Sequence, residues 1–375
     1  MENEVIPVCE PFLAGREREY VMEAVESGWI SSSGKYISRF EQAFADFIGV
    51  KYGIATCNGT TALHLSLEAL DIGPGDEIII PDFTMIASAF AVCHAGATPV
   101  FVDAERRTWN INPDLVEKKV SKRTKAIMAV HIYGHSVDMD PLSVIAKKYG
   151  ICLIEDAAEV HGAEYKGRKC GSLGDVAAFS FYANKIITTG EGGMVVTNDE
   201  QVAKRCRSLK NLSFPDSKDR VYLHETVGFN YRMSNIHAAL GLAQMENAAD
   251  YIERRRQNNR VYRELLRDVP EIRFQEERDW AKNVYWMNGI VVEKGRNGIT
   301  RDQLIGRLQE QGIETRRFFV GMHRQPSLRK FCDVDDDFPV SNELTESGLY
   351  LPSGSGLTDD QIRRVSFAVR EAFRR

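Results

Sequence analysis

The chain contains no apolar run long enough to cross a bilayer. Its longest, such as Ile78-Ile79-Ile80 and residues 126–130, fall far short of the ~20 residues a spanning helix needs. It also lacks the Cys-x-x-Cys pairs of a zinc cluster or redox motif. The seven cysteines (Cys9, Cys57, Cys93, Cys152, Cys170, Cys206, Cys332) are scattered and odd in number. That argues against a disulfide framework and points to a reduced cytoplasm. A basic tail or stripe is missing too: 48 Lys and Arg stand against 53 Asp and Glu, with both signs interspersed and a net charge of −5. Neither nucleic acid nor a membrane is therefore an expected partner. The opening Met1-Glu2-Asn3-Glu4 is acidic and has none of the basic, apolar character of a secretion signal. No internal repeat or low-complexity segment interrupts the chain.

What is there is an ordinary globular composition, 43% hydrophobic and 27% charged over 375 residues, enough for two domains. Short apolar runs predict strands over 53–57, 77–81, 99–103, 126–133, 152–156, 176–181 and 193–197. Helix-period segments lie between them at 61–70, 85–95, 113–120, 140–149 and 200–209. Strands apolar on nearly every residue and separated by helices imply an α/β fold with a mostly parallel seven-stranded sheet covered on both faces. Ligands collect beyond the carboxyl ends of such strands. A long helical stretch follows at about 235–267, with Ala239, Leu242, Met245, Ala249 and Ile252 at three- and four-residue spacing. The remainder mixes strands and helices as a smaller α+β unit. The expected division is 1–245 for the large domain and 246–375 for the small one.

Lys185 lies in the small-residue run Ser180-Phe181-Tyr182-Ala183-Asn184-Lys185, and Glu155-Asp156 closes an apolar strand upstream. A loop lysine with a carboxylate at a nearby strand end fits a protein that holds pyridoxal phosphate. The amine forms a Schiff base with the cofactor aldehyde, and the carboxylate pairs with the protonated pyridine nitrogen. Alternation along the strand puts Glu155 and Asp156 on opposite faces, and Asp156 is the better candidate. Asn58-Gly59-Thr60 joins a strand to a helix, where free amides favour an anion; a plain capped helix would read the same way. Ser180 ends a strand where its hydroxyl could meet a phosphate. Phe83 could stack on the ring, although most such aromatics are core. The glycine-rich segment 188–193 leads into a strand rather than a helix, so it is no dinucleotide motif. His131 and His135 straddle a strand end and Gly134, which does not put them on one face, so no metal is expected.

The order of these pieces resembles the DegT/DnrJ/EryC1/StrS sugar aminotransferases, within the aspartate aminotransferase fold (fold type I). The likeness runs from Gly28-Trp29-Ile30-Ser31-Ser32-Ser33-Gly34 through Asn58-Gly59-Thr60, Glu155-Asp156-Ala157-Ala158-Glu159 and the Lys185 loop. It continues through Gly228-Phe229-Asn230-Tyr231-Arg232-Met233-Ser234 to Gly312-Ile313-Glu314-Thr315-Arg316. The resemblance implies that Lys185 anchors the pyridoxal 5'-phosphate and that Asp156 binds its ring nitrogen. It places Glu159 near the 3-hydroxyl, Phe83 on the ring face, and Gly59, Thr60 and Ser180 at the phosphate. Asn230 would reach the phosphate from the partner subunit, making a homodimer the catalytic unit, with a higher oligomer open. Ser31, Ser32, Arg232 and Arg316 would border the sugar-nucleotide cleft.

The implied activity is transfer of an amino group from L-glutamate to a nucleotide-linked 4-keto-6-deoxy sugar. Likeness across 180–198 and 125–133 favours GDP-4-keto-6-deoxy-D-mannose as substrate and GDP-perosamine as product. A UDP- or dTDP-linked sugar and a non-catalytic cofactor-binding regulator are the alternatives. The family's sugar dehydratases carry histidine where Lys185 stands. The loop here reads Tyr182-Ala183 and Ile186-Ile187 where relatives often have Phe-Gly and Thr-Ile.

Overall fold

The computed structural model describes residues 5–215, 221–293, 298–332 and 336–374. Its main sheet has seven strands: β1 (Tyr52–Thr56), β2 (Glu77–Pro81), β3 (Thr98–Val102), β4 (Thr124–Val130), β5 (Cys152–Asp156), β6 (Val176–Ser180) and β7 (Gly193–Thr197). Their spatial order is β1-β7-β6-β5-β4-β2-β3. Only β7 runs against its neighbours β1 and β6; the other adjacent pairs are parallel. The sheet is the mostly parallel one that the apolar runs predict.

Alternate residues of its strands feed separate cores. Ile78 and Ile80 of β2 and Met128 of β4 join one cluster, with Leu63, Leu65 and Leu67 from a helix. Ile79, Ile127 and Ala129 face another, with Leu142 and Ile145 from a different helix. This two-residue period is the physical content of burial on both faces. The flanking helices are α1 (Glu17–Glu26), α2 (Lys35–Ile48), α3 (Gly59–Ala69), α4 (Ile86–His94), α5 (Met139–Tyr149) and α6 (Glu200–Leu209). In α2 the stripe Tyr36, Phe40, Phe44 and Ile48 is buried at four-residue spacing. The helix stops at Gly49, whose φ of 84° is the left-handed cap that glycine adopts without strain.

Three expected elements differ from the structure, and the helix predicted over 113–120 is a short α-helix, Pro113–Val116, followed by a 3₁₀ turn, Glu117–Lys119. The strand predicted over 126–133 ends at Val130, because Tyr133 and Gly134 have φ of 55° and 112° and turn the chain away. The helical stretch predicted over 235–267 is two helices, α7 (Asn235–Glu246) and α8 (Ala248–Leu265). The break falls at Asn247, with φ −114° and ψ 11°. The apolar spacing continues across it, so periodicity alone did not reveal it.

A second, four-stranded sheet is antiparallel: β8 (Ile272–Phe274), β9 (Asn288–Val292), β10 (Arg316–Arg317) and β11 (Gly348–Leu351), in the order β8-β9-β11-β10. With α9 (Arg301–Gln309), α10 (Pro339–Ser347) and α11 (Asp359–Arg374) they make the expected α+β arrangement. Leu304, Leu308, Leu349, Leu351, Ile362 and Val369 form its core, joined by Ile6 from the start of the chain. Helix α8 serves two cores at once: Tyr251 and Ile252 pack with the large sheet, and Tyr262 with the small one. Among the described residues, no helix is long and apolar enough to cross a membrane.

Candidate active site

The carboxyl edge of the large sheet opens into a cleft of about 460 Å³. It is bounded on one side by the strand ends and α3, on the other by residues of the small sheet. At the end of β1 the chain turns into α3. Asn58 Oδ1 accepts from the Thr61 amide at 2.9 Å, and Thr61 Oγ1 accepts from the Asn58 amide at 3.3 Å. This reciprocal cap leaves the amides of the first helical turn facing the cleft beside Thr60. Gly59 is there for a steric reason: a Cβ on it would come within 2.7 Å of Ser180 Cβ. Helix start and strand end therefore touch, and Gly59, Thr60 and Ser180 form one cradle suited to an anion.

Asp156 ends β5. It accepts from Ser88 Oγ at 2.7 Å and from the Ala158 amide at 3.2 Å. Burial pushes its carboxyl above the usual range, despite these donors and Lys185. Glu159 accepts from the Tyr133 amide at 2.7 Å and lies 3.8 Å from Lys185 Nζ. Its carboxyl is raised to about 7 by burial, with the lysine opposing. Burial lowers the Lys185 amine, and Glu159 and Asp156 act against that fall. The result is a buried amine that loses its proton easily, beside a carboxyl that gains one easily.

Lys185 Nζ also sits 3.5 Å from the centre of the Trp286 ring. The Trp286 indole donates to the Asn184 carbonyl at 2.9 Å, pinning the loop one residue before the lysine. The neighbouring Asn184 Oδ1 is buried with no hydrogen-bond partner, and Asn184 lines the cleft. An orphaned acceptor, an anion cradle, a buried carboxylate and a reactive amine together fit pyridoxal phosphate.

The expected residues do not all meet here. Gly59, Thr60, Asp156, Glu159, Ser180, Lys185 and Arg316 line the cleft. Phe83 does not line it. Its ring is fully buried in an aromatic cluster with Tyr133, Phe318 and Phe319 at centroid distances of 5.9–6.2 Å. Thr84 and Met85, next in sequence, face the cleft instead. Ser31 and Ser32 are exposed outside it, where the Ser31 carbonyl accepts from the Asn235 amide at 2.6 Å. Asn230 is exposed too and pairs with Asn211, whose side chain also accepts from Arg232 at 3.1 Å; neither Asn230 nor Arg232 lines this subunit's cleft. His131 and His135 are buried with other tasks: His131 meets Glu155 at 3.0 Å, and His135 Nε2 accepts from the Arg278 amide at 3.1 Å. Trp286 and Tyr350 went unforeseen, because they come from over 100 residues downstream and no local pattern marks them.

Residues 12–370 match the model of the DegT/DnrJ/EryC1/StrS aminotransferase family. The chain belongs to that family. Among its relatives, the GDP-perosamine synthase of Caulobacter vibrioides is 46% identical over 97% of each chain. The GDP-perosamine synthase of Escherichia coli O157:H7 is 42% identical over 98% of each. The solved structure of DesI in the presence of its TDP-sugar product superposes with a TM-score of 0.91 at 34% identity, over 100% of this chain and 94% of that one. This family member is therefore a pyridoxal-phosphate-dependent aminotransferase of fold type I.

Proposed function

We propose that the enzyme aminates C4 of GDP-4-keto-6-deoxy-D-mannose to give GDP-perosamine, with L-glutamate as donor. The observation that carries this is identity of 46% and 42%, over nearly the whole chain, to two proteins named GDP-perosamine synthase. Gly59, Thr60 and Ser180 would hold the cofactor phosphate, Asp156 its ring nitrogen, and Lys185 its aldehyde carbon. When bound, the cofactor supplies an electron sink for negative charge beside the amine-bearing carbon. Lys185 Nζ takes the proton from the α-carbon of glutamate, and in the second half it delivers a proton to C4 of the sugar. Its lowered proton affinity makes it easier for one group both to accept and to donate the proton. Glu159, poised near 7, keeps a proton within reach of the same amine. Arg316 at the cleft mouth offers a guanidinium to the diphosphate. Seven free cysteines fit a reducing compartment, and we assign the enzyme to the cytoplasm.

The deciding measurement is kcat/KM for GDP-, UDP- and dTDP-linked 4-keto-6-deoxy sugars at one glutamate concentration. A site built to hydrogen-bond one base rejects another by orders of magnitude when buried groups go unpaired. Preference for the dTDP sugar, the chemistry of the DesI product, would end the GDP assignment and leave the aminotransferase standing.

The working unit in this reading is a homodimer, with Asn230 reaching the partner's phosphate. Asn230 is exposed and outside its own cleft, and Trp29, Ile30, Tyr222, Leu223 and Val227 expose apolar surface that a second copy would cover. Mixing inactive Lys185→Ala and Asn230→Ala subunits tests this. In a mixed dimer one site collects both lesions and the other none, so activity partly returns. No recovery after verified exchange places Asn230 in its own subunit's site.

A further inference from the structure

Arg255 on α8 is only 2% exposed. Its Nε donates to Ser355 Oγ at 2.9 Å, and one terminal nitrogen donates to the carbonyls of Trp286 and Ser353 at 2.7 and 2.8 Å. The other terminal nitrogen lies 3.7 Å from Cys9 Sγ. Among the described residues, no carboxylate pairs with it. Burying a guanidinium without a counter-charge is costly, and neutral hydrogen-bond acceptors recover only part of that cost. Such a group calls for a reason beyond stability.

Two of its four contacts also grip the lysine loop. Trp286, held by its carbonyl, donates its indole N–H to the Asn184 carbonyl and lays its ring beneath Lys185 Nζ. Cys9, beside the guanidinium, donates its thiol to the same Asn184 carbonyl at 3.4 Å. The guanidinium, the indole, the thiol and the Asn184 carbonyl thus form one connected set behind the lysine. We propose that Arg255 is a positioning residue for Lys185, holding Trp286 and Cys9 as a two-point clamp on the lysine loop and opposing a second positive charge on the lysine amine. The carboxyls of Glu159 and Asp156 favour protonation of that amine, and Arg255 acts against it. A fixed cation set against two carboxylates helps keep the amine nucleophilic.

The inference rests on Lys185 being the lysine that takes the cofactor, so the experiment checks that first. The full-length protein, freed of cofactor, is incubated with pyridoxal phosphate, trapped with borohydride and peptide-mapped. A label on another lysine removes the underlying reading, and this proposal with it. With the label on Lys185, trapping rate is measured against pH for the wild type, Arg255→Lys and Arg255→Met. Arg255→Lys keeps the charge but loses the fork, so trapping slows about tenfold while the midpoint of the pH profile stays. Misplacing a reacting group by about 1 Å can cost roughly a hundredfold, which sets the scale. Arg255→Met keeps the bulk and loses the charge, so trapping slows and the midpoint also moves to higher pH. Should Arg255→Met not fold, Trp286→Phe replaces it, with slowed trapping expected because the indole donor to Asn184 is lost. A folded Arg255→Lys that traps within twofold of the wild type overturns the proposal. So does a folded Arg255→Met with an unshifted midpoint, even if its Tm falls.

Discussion

Glu155 and Asp156 are adjacent on one strand, both fully or nearly buried, and their surroundings could hardly differ more. Glu155 accepts from the amides of Gly171, Leu173 and Gly174, each at 2.7 Å, and meets His131 Nε2 at 3.0 Å. Burial alone would raise its carboxyl, but the histidine and the amides outweigh that and hold it below the usual value. Asp156, on the opposite face, has one hydroxyl and one amide and remains raised by burial. A buried carboxylate with a full set of donors is finished as soon as the chain folds. One with too few donors gains only when a cation arrives. The reverse face of the sheet is thus built for stability, and the carboxyl edge for a ligand.

The largest expected effect tests the ligand side. Lys185→Ala should cut the glutamate half-reaction by at least ~10³-fold, since both anchor and proton carrier are lost, while Tm stays near the wild-type value. Activity within tenfold of normal in a single-turnover assay would remove Lys185 from the chemistry. Next in size, Asp156→Asn should slow the same step by roughly 10- to 1000-fold, the equivalent of the 1–3 pKa units a contact charge supplies. The cofactor's visible absorbance should also be lost on dialysis. An unchanged rate would mean another group keeps the ring protonated.

Glu155→Gln sharpens the contrast. Turnover should stay close to normal, while stability falls by about 1–3 kcal/mol, read as a lower urea midpoint at constant slope. A kinetic defect equal to that of Asp156→Asn would dissolve the distinction between the two faces.

The smallest expected effect concerns the contact between Asp82, fully buried before α4, and His323 of the 3₁₀ turn after β10. His323 Nδ1 lies 2.8 Å from Asp82 Oδ2, and its amide donates to Asp82 Oδ1 at 2.8 Å. Burial alone would lower this imidazole, but the carboxylate outweighs it and the net shift is upward. A folded-state value above the unfolded one means the contribution is complete below about pH 6.5 and is lost as pH rises through the raised value. Urea midpoints should therefore decline over that window in the wild type, and Asp82→Asn should flatten the decline. An identical slope in both proteins would show that His323 titrates independently of Asp82.

Much of this arrangement was legible in the residues because the controlling physics is local. Apolar runs gave the sheet, two-residue alternation separated Asp156 from Glu155, and Gly59 marked a close approach. What escaped has a common cause. Trp286, Tyr350 and Arg255 come to the site through tertiary packing, and no spacing near Lys185 encodes them. Phe83 is fully buried while Thr84 and Met85, next in sequence, line the cleft, a placement that the local pattern does not encode. Asn247 interrupts a helix without disturbing the apolar spacing around it.

Strand β7 has a consequence for engineering. Because it runs opposite to β6, with Ser180 opposite Gly193, the segment 181–192 leaves and re-enters the sheet at adjacent positions on one edge, only about 5 Å apart. The stretch that carries Lys185 is therefore a cassette with a fixed footprint. It can be exchanged whole for that of a relative without altering a crossover helix or the register of any other strand, provided Trp286 and Cys9 still find a carbonyl where Asn184 now stands.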